Sequence, residues 1–405
     1  MLDKSADKIF LSIRLDYYQK NKNYQSEKYI YKCFISVLLL RIKIFSKALQ
    51  PFHFFSSYKK LITMKTLILP FLLLLTFCIS CSPDNTDALE KNVTSHDVYV
   101  AGMENYKACY WKNNIKTNLF SPDSTTANKI IVENNNVHVL GKTRTNFNGS
   151  YYYWKNNIRL NLEQYLGIPA GHYYKILDIA VDGNDTYFIG YYDTLSPVAV
   201  QRYAFCLWKN GVKTELNTSD NIIYDDSKIS VFNHQSYISA TIRNAGTTES
   251  GYYVNSVFHT VPGIIRVCNF TETSSGIQFL YIKNYNYYSM QLSTNTEILA
   301  ANFSHPIFTF GKISGEKTSA DYYITGRMLM NNFYYKNDIE TTFPLDPDYE
   351  IIQDLFVLDG NIYVIKQKGI PFASKVYINN NEIQSITNPA NTVVNAFNSV
   401  FVVVN

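Results

Sequence analysis

The phrase Val98-Tyr-Val-Ala-Gly102 and the phrase Tyr110-Trp-Lys-Asn-Asn-Ile115 decide the fold of this chain, because both recur along it. Clear copies of the first phrase start at Val137, Thr186 and Tyr322, and looser copies start at Ser236, Gln278, Ile362 and Val400. The second phrase returns at residues 153–158, 207–212 and 334–339, with a weaker echo at 376–383. Successive starts of the first phrase lie 38 to 50 residues apart, a period typical of repeat architectures.

Each repeat has the pattern of four short strands. Runs of Val, Ile, Tyr and Phe suit a half-buried pleated sheet. The Asn-Asn, Asn-Gly and Asn-Asp pairs of the second phrase tolerate the positive φ of a tight hairpin, so each pair predicts a turn between two strands. A further turn precedes the first phrase, as at Asn134-Asn-Asn136, and no helical period is sustained. The sequence therefore predicts an all-β fold, a β-propeller of about seven four-stranded blades.

The number of blades depends on the last copy of the first phrase. Seven units fit between Val98 and Val400, and residues 400–404 remain as an eighth, partial copy. This strand either closes the ring against the first blade or indicates a ring of six or eight blades. The sequence leaves these alternatives open.

An aromatic residue of the second phrase is expected to wedge between blades and to form the repeat core. These residues are Trp111, Trp154, Trp208 and Tyr335. The repeat region also holds Cys109, Cys206 and Cys268, of which the first two occupy one slot of non-adjacent repeats. Because such positions are unlikely to meet, we interpret the three cysteines as small buried hydrophobic residues.

The stretch Met64-Lys-Thr-Leu-Ile-Leu-Pro-Phe-Leu-Leu-Leu-Leu-Thr-Phe-Cys-Ile-Ser-Cys81 has the parts of a bacterial lipoprotein signal. Its apolar run is shorter than the roughly 20 residues of a membrane-spanning helix. We therefore predict a signal peptide at 64–80, a lipidated tether at 81–95 with the lipid on Cys81, and a β-propeller repeat domain at 96–405. Residues 1–63 are interpreted as a gene-model extension or a disordered segment, with a real cytoplasmic extension as the alternative.

Removal of the predicted signal changes the charge of the chain. The whole sequence has a formal net charge of +4, but residues 1–65 hold 13 of the 37 basic and 4 of the 33 acidic residues. The region from Cys81 onward keeps 24 basic and 29 acidic residues, which gives −5. A nucleic-acid partner is therefore not expected, because the basic footprint of such proteins is missing.

The repeat phrases, the lipobox and the ending Phe397-Asn-Ser-Val-Phe-Val402 resemble the tandem-repeat envelope lipoproteins of Bacteroides-type Gram-negative bacteria. The resemblance covers most of residues 64–405 and weakens over 241–320. It implies a repeat fold and a location in the cell envelope, where lipid on Cys81 anchors the chain to the outer membrane on its periplasmic side or at the cell surface. It implies no reaction, because those proteins are largely uncharacterised.

No catalytic motif of the metalloprotease, serine-hydrolase or phosphate-binding type occurs. The histidines of the repeat region are isolated and are typical of packed or solvated side chains; they are His96, His138, His172, His234, His259 and His305. The segment Asp182-Gly-Asn-Asp185 lacks the rest of a calcium loop and is interpreted as a turn. The acidic segment 346–350 is interpreted as a solvated loop, with cation binding or acid–base chemistry as the alternative. We predict no cofactor and no metal site.

Two features bear on function. The sequence has 34 tyrosines, and clusters such as Tyr151-Tyr-Tyr153 either form a sticky rim or reflect composition and strand propensity. The irregular region 241–320 contains the polar, turn-like segments Thr247-Thr-Glu-Ser-Gly251 and Thr271-Glu-Thr-Ser-Ser-Gly276, where we expect any binding site. The leading hypothesis is a lipid-anchored envelope β-propeller that binds a protein or glycan. The alternative is an envelope polysaccharide lyase or glycoside hydrolase with carboxylates in the propeller channel.

Overall fold

A computed structural model describes part of this chain. The described residues are 96–144, 150–194, 202–219, 226–244, 247–284, 286–301, 312–328, 331–337, 339–342, 351–368, 373–388 and 394–405. Residues 1–95, with the predicted extension, signal, tether and Cys81, lie outside the described residues.

The strands follow one another in groups of four. Blade 1 contains β1 (His96–Glu104), β2 (Lys107–Lys112) and β3 (Ile115–Asn118). Blade 2 contains β4 (Thr125–Glu133), β5 (Asn136–Thr143), β6 (Tyr151–Lys155) and β7 (Ile158–Leu160), and a one-turn helix α1 (Leu162–Leu166) follows it. Blade 3 contains β8 (Tyr174–Asp182), β9 (Asp185–Asp193), β10 (Tyr203–Lys209) and β11 (Val212–Ser219). Blade 4 contains β12 (Ile229–Phe232), β13 (Gln235–Asn244), β14 (Thr247–Val254) and β15 (Val257–Thr260).

The second half of the ring continues in the same way. Blade 5 contains β16 (Ile264–Thr273), β17 (Gly276–Lys283), β18 (Asn286–Gln291) and β19 (Thr296–Ala301). Blade 6 contains β20 (Ile313–Gly315), β21 (Tyr322–Met328), β22 (Asn331–Lys336) and β23 (Ile339–Thr342). Blade 7 contains β24 (Ile351–Leu358), β25 (Asn361–Lys368), β26 (Ala373–Ile378) and β27 (Asn381–Thr387). The last strand, β28 (Ala396–Val404), returns to blade 1.

The described strands form seven antiparallel four-stranded sheets, which confirms the predicted seven-bladed β-propeller. The first strands of neighbouring blades contact one another, so they surround the central channel. The fourth strands form the outer edges, and β3 and β7 are largely exposed there. Within the described part of the chain, no helix is both long and apolar enough to cross a bilayer.

The strand β28 resolves the question of the eighth repeat copy. It pairs antiparallel with β1, from His96 opposite Val404 to Met103 opposite Ala396. It therefore supplies the first strand of blade 1, whereas Val98-Tyr-Val-Ala-Gly102 supplies the second. Both copies look alike because each is a buried β-strand of blade 1. The ring is closed by hydrogen bonds between distant parts of the chain, and β1 is paired on both of its edges.

The first Asn of the second phrase explains why that phrase repeats. In blade 2, Asn156 lies at φ 50° and its side-chain oxygen accepts a hydrogen bond from the Val137 N–H at 2.8 Å. The Asn156 side-chain amide donates to Asn136 Oδ1 at 2.8 Å. Five more blades use the equivalent asparagine as an acceptor for the N–H of the second strand: Asn113, Asn210, Asn255, Asn337 and Asn379. Asparagine suits this slot because it tolerates positive φ and carries both an acceptor and a donor.

The aromatic residues of the second phrase are buried between neighbouring blades. Trp154 and Trp208 are fully buried, and Trp111 and Tyr335 are 6% and 7% exposed. Trp208 packs in a cluster that includes Leu140 and Tyr153 of the preceding blade. Because a four-stranded sheet has two apolar faces, these large side chains fill the space between two blades and hold the ring together.

Candidate functional site

A β-bulge occurs at the same place in the first strands of most blades. The register shifts beside Lys129 in β4, beside Asp178 in β8, beside Asp354 in β24 and beside Ser399 in β28. A fifth shift lies between Val267 and Phe270 in β16. A bulge leaves one residue unpaired and redirects the neighbouring side chain, and bulges are frequent beside functional sites.

The glycine that ends the first phrase makes room for this bulge. A β-carbon added to Gly190 would lie well inside van der Waals contact with the Lys175 carbonyl oxygen, and one added to Gly141 would meet the Thr126 carbonyl oxygen in the same way. The first strand therefore approaches the second too closely for any side chain. In blades 1, 2 and 3 the glycine accompanies the bulge, whereas in blade 7 Lys366 holds the same register position opposite Ile352 beside a bulge, so glycine is not required in every blade.

Each blade has one polar residue at an equivalent position, on its first strand or directly before it, and we name this set the channel ring. Its members, from blade 1 to blade 7, are Ser399, Lys129, Asp178, Lys228, Asn269, Lys312 and Asp354. Each directly precedes a buried apolar residue of its strand: Val400, Ile130, Ile179, Ile229, Phe270, Ile313 and Leu355. Lys228 directly precedes β12, and its backbone N–H and carbonyl bond to the Ser239 hydroxyl and N–H of the second strand. Lys312 directly precedes β20 and makes the same two hydrogen bonds with Thr325.

Three ring side chains connect their blade to the next one through backbone N–H groups. Asp178 Oδ2 accepts from the Ile229 N–H at 3.1 Å, and Asp354 Oδ2 accepts from the Val400 N–H at 3.0 Å. Ser399 Oγ receives a longer contact of 3.5 Å from the Ile130 N–H. These N–H groups belong to innermost strands, which have no further strand to pair with. The ring therefore satisfies backbone donors that face the channel.

A second tier of the same kind lies two residues further along the first strands. Thr271 Oγ1 accepts from the Gly315 N–H at 2.5 Å, and Ser314 Oγ accepts from the Val357 N–H at 3.0 Å. Here neutral hydroxyl groups replace the charged side chains of the channel ring. Polar side chains thus link blades 6 and 7 at two levels of the channel wall, and blades 5 and 6 at the second level.

The charged members of the ring form ion pairs between neighbouring blades. Lys129 Nζ lies 2.7 Å from Asp178 Oδ1, and Lys312 Nζ lies 3.5 Å from Asp354 Oδ1. Burial alone would raise the pKa of Asp178, but the ammonium groups of Lys129 and Lys228 and its hydrogen bonds hold that pKa below its ordinary value. Asp178 is therefore a carboxylate at neutral pH.

Lys228 and Asn269 are next to each other in the ring and lack the pairing seen elsewhere. Burial lowers the pKa of the Lys228 ammonium, the charge of Asp178 opposes this effect, and Lys312 and Lys129 add to the lowering. The side-chain oxygen of Asn269 is buried without a hydrogen-bond partner. Asp178 is therefore coupled electrostatically to both Lys129 and Lys228, whereas the side-chain oxygen of Asn269 is sealed from solvent.

The three cysteines play no part in this site. Cys109, Cys206 and Cys268 are free and buried, as the sequence predicted. Burial raises the pKa of each thiol to about 12, so none of them is a thiolate nucleophile at neutral pH. In the described ranges, no group of three or more His, Cys, Asp or Glu side chains is arranged to hold a metal ion.

The described histidines each pack against one or two neighbours and do not converge. His138 contacts the Tyr153 hydroxyl at 2.6 Å, and burial lowers its pKa to about 4. His96 lies between Tyr363 and Asp359, His234 contacts Asp182, and His259 stacks on Tyr252. The segment from Asp182 to Asp185 is the predicted turn, with Gly183 at φ 62°. His305 and the acidic segment 346–350 lie outside the described residues.

In the region 241–320, one of the two predicted turn-like segments is corrected by the structure and the other is confirmed, while the expected binding site there stays a prediction. Thr247–Gly251 is not a turn but the first part of strand β14, and Thr271–Gly276 is a tight hairpin that joins β16 to β17. Both segments belong to complete blades. The repeat phrases are weak here because Ala240 replaces the phrase glycine and because a four-residue connection replaces the Lys-Asn turn in blade 5.

The clustered tyrosines pack against the sheets. Among the described ones, Tyr152, Tyr153, Tyr191, Tyr192, Tyr252, Tyr253, Tyr287 and Tyr335 are buried. Others such as Tyr151 and Tyr334 are half-buried. A continuous sticky rim of exposed tyrosine is therefore not formed by these residues.

The channel ring was not found from the sequence, although a signal for it exists. A polar residue directly before an apolar residue recurs with the repeat period, as in Lys129-Ile, Asp178-Ile, Lys228-Ile and Asp354-Leu. The signal is weak because the polar residue changes type and charge from blade to blade. Only the position repeats.

Comparison with known proteins adds little about function. No protein-family model matches the sequence, and no curated protein matches it either. The solved structures that it resembles include a prolyl endopeptidase, with TM-score 0.39, 10% identity, and coverage of 73% of this chain and 43% of that one. The extracellular domain of a hybrid two-component system from B. thetaiotaomicron gives TM-score 0.40, 12% identity and coverage of 68% and 38%. An oligogalacturonate lyase in complex with manganese gives TM-score 0.43 and 6% identity, and the match covers 70% of this chain and 84% of that one.

The chain thus spans less than half the length of the first two of these proteins. Likenesses of this strength carry no argument about activity, ligand or partners. The function has to be inferred from the residues of the channel.

Proposed function

We propose that this protein is a lipid-anchored binding module of the bacterial cell envelope, which holds a protein or glycan ligand at its channel ring. The observation that carries the proposal is the ring itself, in which each blade has a polar residue at an equivalent position on or directly before its innermost strand, and these strands contact one another around the channel. Such a set of convergent polar groups on a rigid scaffold is what ligand sites require.

The state of the ring carboxylates favours binding over acid–base catalysis. Asp178 is held by Lys129 and by the Ile229 N–H, and Asp354 is held by Lys312 and by the Val400 N–H. A glycoside hydrolase needs one carboxyl group with a raised pKa that donates a proton. The pKa of Asp178 is instead lowered, so this residue is suited to a structural and electrostatic role.

Ligand binding is tested with the full chain purified in detergent, screened against an array of envelope glycans and by pull-down from an envelope extract. The matched variants are Lys312→Gln, which alters the ring, and Lys142→Gln, which alters an exposed lysine of β5. We expect a ligand that is retained by wild type and by Lys142→Gln and released by Lys312→Gln. If the Lys312→Gln variant retains the ligand as well as wild type does, the binding site lies outside the channel ring. If the protein instead cleaves a polysaccharide, the enzyme alternative replaces the proposal.

The anchor rests on the lipobox that ends at Cys81. Cells that express the chain are labelled with a fatty-acid analogue, and the label is followed in wild type and in Cys81→Ala. Label on wild type and its loss from Cys81→Ala would support the anchor, because only the lipobox cysteine accepts the lipid. Label that persists in the variant, or is absent from wild type, would exclude it.

A further inference from the structure

Five blades expose an aliphatic residue at the same position, the first residue of the fourth strand. Among the described large hydrophobic residues, only Phe120 is as exposed as these five, whose exposed fractions are 61–75%. Single exposed apolar residues are ordinary on a protein surface, but here one repeat position accounts for nearly all of the most exposed ones. We name these residues the outer aliphatic set: Ile115, Ile158, Val212, Val257 and Ile339.

The outer aliphatic set lies at one end of the propeller, which we name the turn face. In a four-stranded antiparallel blade, the turn between the first two strands and the turn between the last two strands lie at the same end of the sheet. These ends meet between neighbouring blades. His234, in the first turn of blade 4, contacts Asp182 at the first turn of blade 3 at 2.6 Å. The Asn114 side chain, in the last turn of blade 1, donates to the Ile383 carbonyl of blade 7 at 3.2 Å.

The chain enters the propeller on this same face. In blade 1, the place of the first turn is taken by His96 at the start of β1 and Val404 at the end of β28, which pair with each other. His96 also contacts Asp359, in the first turn of blade 7, at 3.0 Å. Cys81 lies fifteen residues before His96, so a lipid on Cys81 is at most about 50 Å from this point. To bring the opposite face to the lipid, the tether would also have to pass the nine-residue strand β1, which is about 30 Å long.

The lysines beside the outer aliphatic set are paired. In three blades, the lysine directly before the last turn forms an ion pair of 2.6–2.8 Å with the aspartate directly before the first phrase. These pairs are Lys112–Asp97, Lys209–Asp185 and Lys336–Asp321. Each of these lysines also lies 5.2–5.6 Å from the centre of a tyrosine ring. Because each pair carries no net charge, this part of the turn face suits a surface of paired charges over an apolar interior better than a strongly charged one.

We propose, resting on the proposed lipid anchor, that the turn face lies on the bilayer that holds the anchor, with the outer aliphatic set at the boundary between headgroups and acyl chains. Five aliphatic side chains leave water together in this arrangement, and their contributions add. The anchor already keeps the propeller at the membrane, so weak contacts are sufficient to fix its orientation. A second copy of the chain fits this face less well, because five side chains on separate blades lack the continuous core of a protein interface.

The experiment measures the depth of a dye on single introduced cysteines in the full lipidated chain, reconstituted in vesicles of phosphatidylethanolamine and phosphatidylcholine. Ile158→Cys and Ile339→Cys probe the outer aliphatic set. Phe120→Cys is the matched control, because Phe120 is equally exposed but follows the opposite end of β3. The described native cysteines are buried, and the unsubstituted chain treated with the dye gives the background. Bromine on the lipid acyl chains quenches any dye that reaches them.

A further variant tests whether the set acts together. In the Ile158→Cys chain, the other four members of the outer aliphatic set are changed to threonine. Threonine keeps the β-branched shape, and blade 5 already has Thr296 as the first residue of its fourth strand. Thermal unfolding of every chain is recorded in parallel, so that loss of membrane contact is separated from loss of fold.

We expect brominated vesicles to lower the emission at Ile158→Cys and Ile339→Cys at least about twofold, to change Phe120→Cys by less than about 10%, and to quench the four-threonine chain about half as much or less. Vesicles that also contain phosphatidylglycerol should give the same result at low and high salt, since the lysines are paired. Equal quenching on both faces, quenching at only one of the two set positions, or quenching that requires anionic lipid would overturn the inference. A blue-shifted dye that bromine does not quench would also overturn it, because a protein would then cover the face.

The failure of this inference is distinct from the failure of the proposed anchor. If Cys81 carries the fatty-acid label but the dyes on the outer aliphatic set are not quenched, the anchor is supported and the membrane contact is wrong. If Cys81 carries no label but these dyes are quenched, the anchor is wrong and the membrane contact is supported.

Discussion

Asn156 and Val137 are joined twice, because the Asn156 N–H donates to the Val137 carbonyl at 2.9 Å and the Val137 N–H donates to Asn156 Oδ1 at 2.8 Å. This double contact fixes the turn between the third and fourth strands to the start of the second strand. The next residue, Asn157, also has a positive φ of 67°. Both asparagines have a positive φ, but only Asn156 is described with side-chain hydrogen bonds to β5, so substitutions at the two positions distinguish the effect of the side chain from that of the backbone.

Replacing Asn156 by Gly should lower the free energy of unfolding by about 1 kcal/mol, because the backbone geometry is kept and the side-chain hydrogen bonds are lost. Asn156→Ala should lower it by about 1–2 kcal/mol more, since a β-carbon disfavours positive φ. Urea unfolding measures both. Asn157→Gly is the control and should change stability by less than about 0.5 kcal/mol. Equal effects at both positions would contradict the role of the side chain.

Gly190→Ala should destabilise the protein by about 2 kcal/mol, because the added methyl group meets the Lys175 carbonyl oxygen at the bulge. Blade 4 provides the matched case, since Ala240 stands in the same slot and β12 pairs with β13 without a register shift. There the reverse change, Ala240→Gly, should cost only about 0.5–1 kcal/mol through backbone entropy. Chemical unfolding of the two variants tests the link between glycine and bulge, and a neutral Gly190→Ala would break it.

Asp178→Ala should lower the free energy of unfolding by about 3 kcal/mol, because it leaves the Lys129 charge and the buried Ile229 N–H without a partner. Asp178→Asn should cost less, since its oxygen still accepts from Ile229. The folded pKa of Asp178 is lowered, so its contribution is complete above the ordinary aspartate range and is lost as pH falls through the folded pKa. Urea unfolding from pH 7 to pH 3 measures both effects, and a similar pH response in wild type and Asp178→Asn would refute this account.

His138 should make the protein less stable in mild acid. Its pKa is lowered from 6.5 to about 4 by burial, so the unfolded chain binds the proton more readily than the folded one. Its contribution is complete above pH 6.5 and is lost as pH falls toward 4, by about 3 kcal/mol at most.

The control is His138→Tyr, because tyrosine occupies this slot in five other blades: Tyr99, Tyr187, Tyr237, Tyr323 and Tyr363. Carboxylates titrate in both proteins, so the readout is the difference between their urea unfolding curves at pH 7 and pH 4.5. The variant should lose less stability than wild type over this interval. Parallel losses would show that His138 does not control the response.

Phe397→Ala should destabilise the ring by about 3–5 kcal/mol, because Phe397 is fully buried on β28 and packs against Trp111 at 4.9 Å between ring centroids. Val404→Ala, on the exposed end of the same strand, should change stability by less than about 0.5 kcal/mol. A chain that ends at Asn395 lacks β28 and should lose its near-ultraviolet circular dichroism and its cooperative unfolding. Native-like spectra from that chain would show that closure is dispensable.

The sequence predicted the architecture well because the repeat residues have local roles. Asn156 defines a turn and Trp154 defines an apolar face, and both roles can be predicted from a few neighbouring residues of the sequence. The position of β28 could not be decided in this way, since its partner β1 lies about 300 residues earlier and only the closed ring brings them together. The channel ring could not be predicted from the sequence for a related reason. Lys228 differs from Lys129 only through the residue that faces it from the next blade, and that neighbour lies about 40 residues away in the sequence.

The pairing of β1 with β28 also sets an order of events during synthesis. Blade 1 is the first to leave the ribosome, yet it stays one strand short until Val404 has been added. Until then, β1 presents an open hydrogen-bonding edge, which is a template for pairing with another chain. The protein therefore has to keep blade 1 from premature pairing until β28 has been synthesised, and its yield should depend on how quickly β1 and β28 meet.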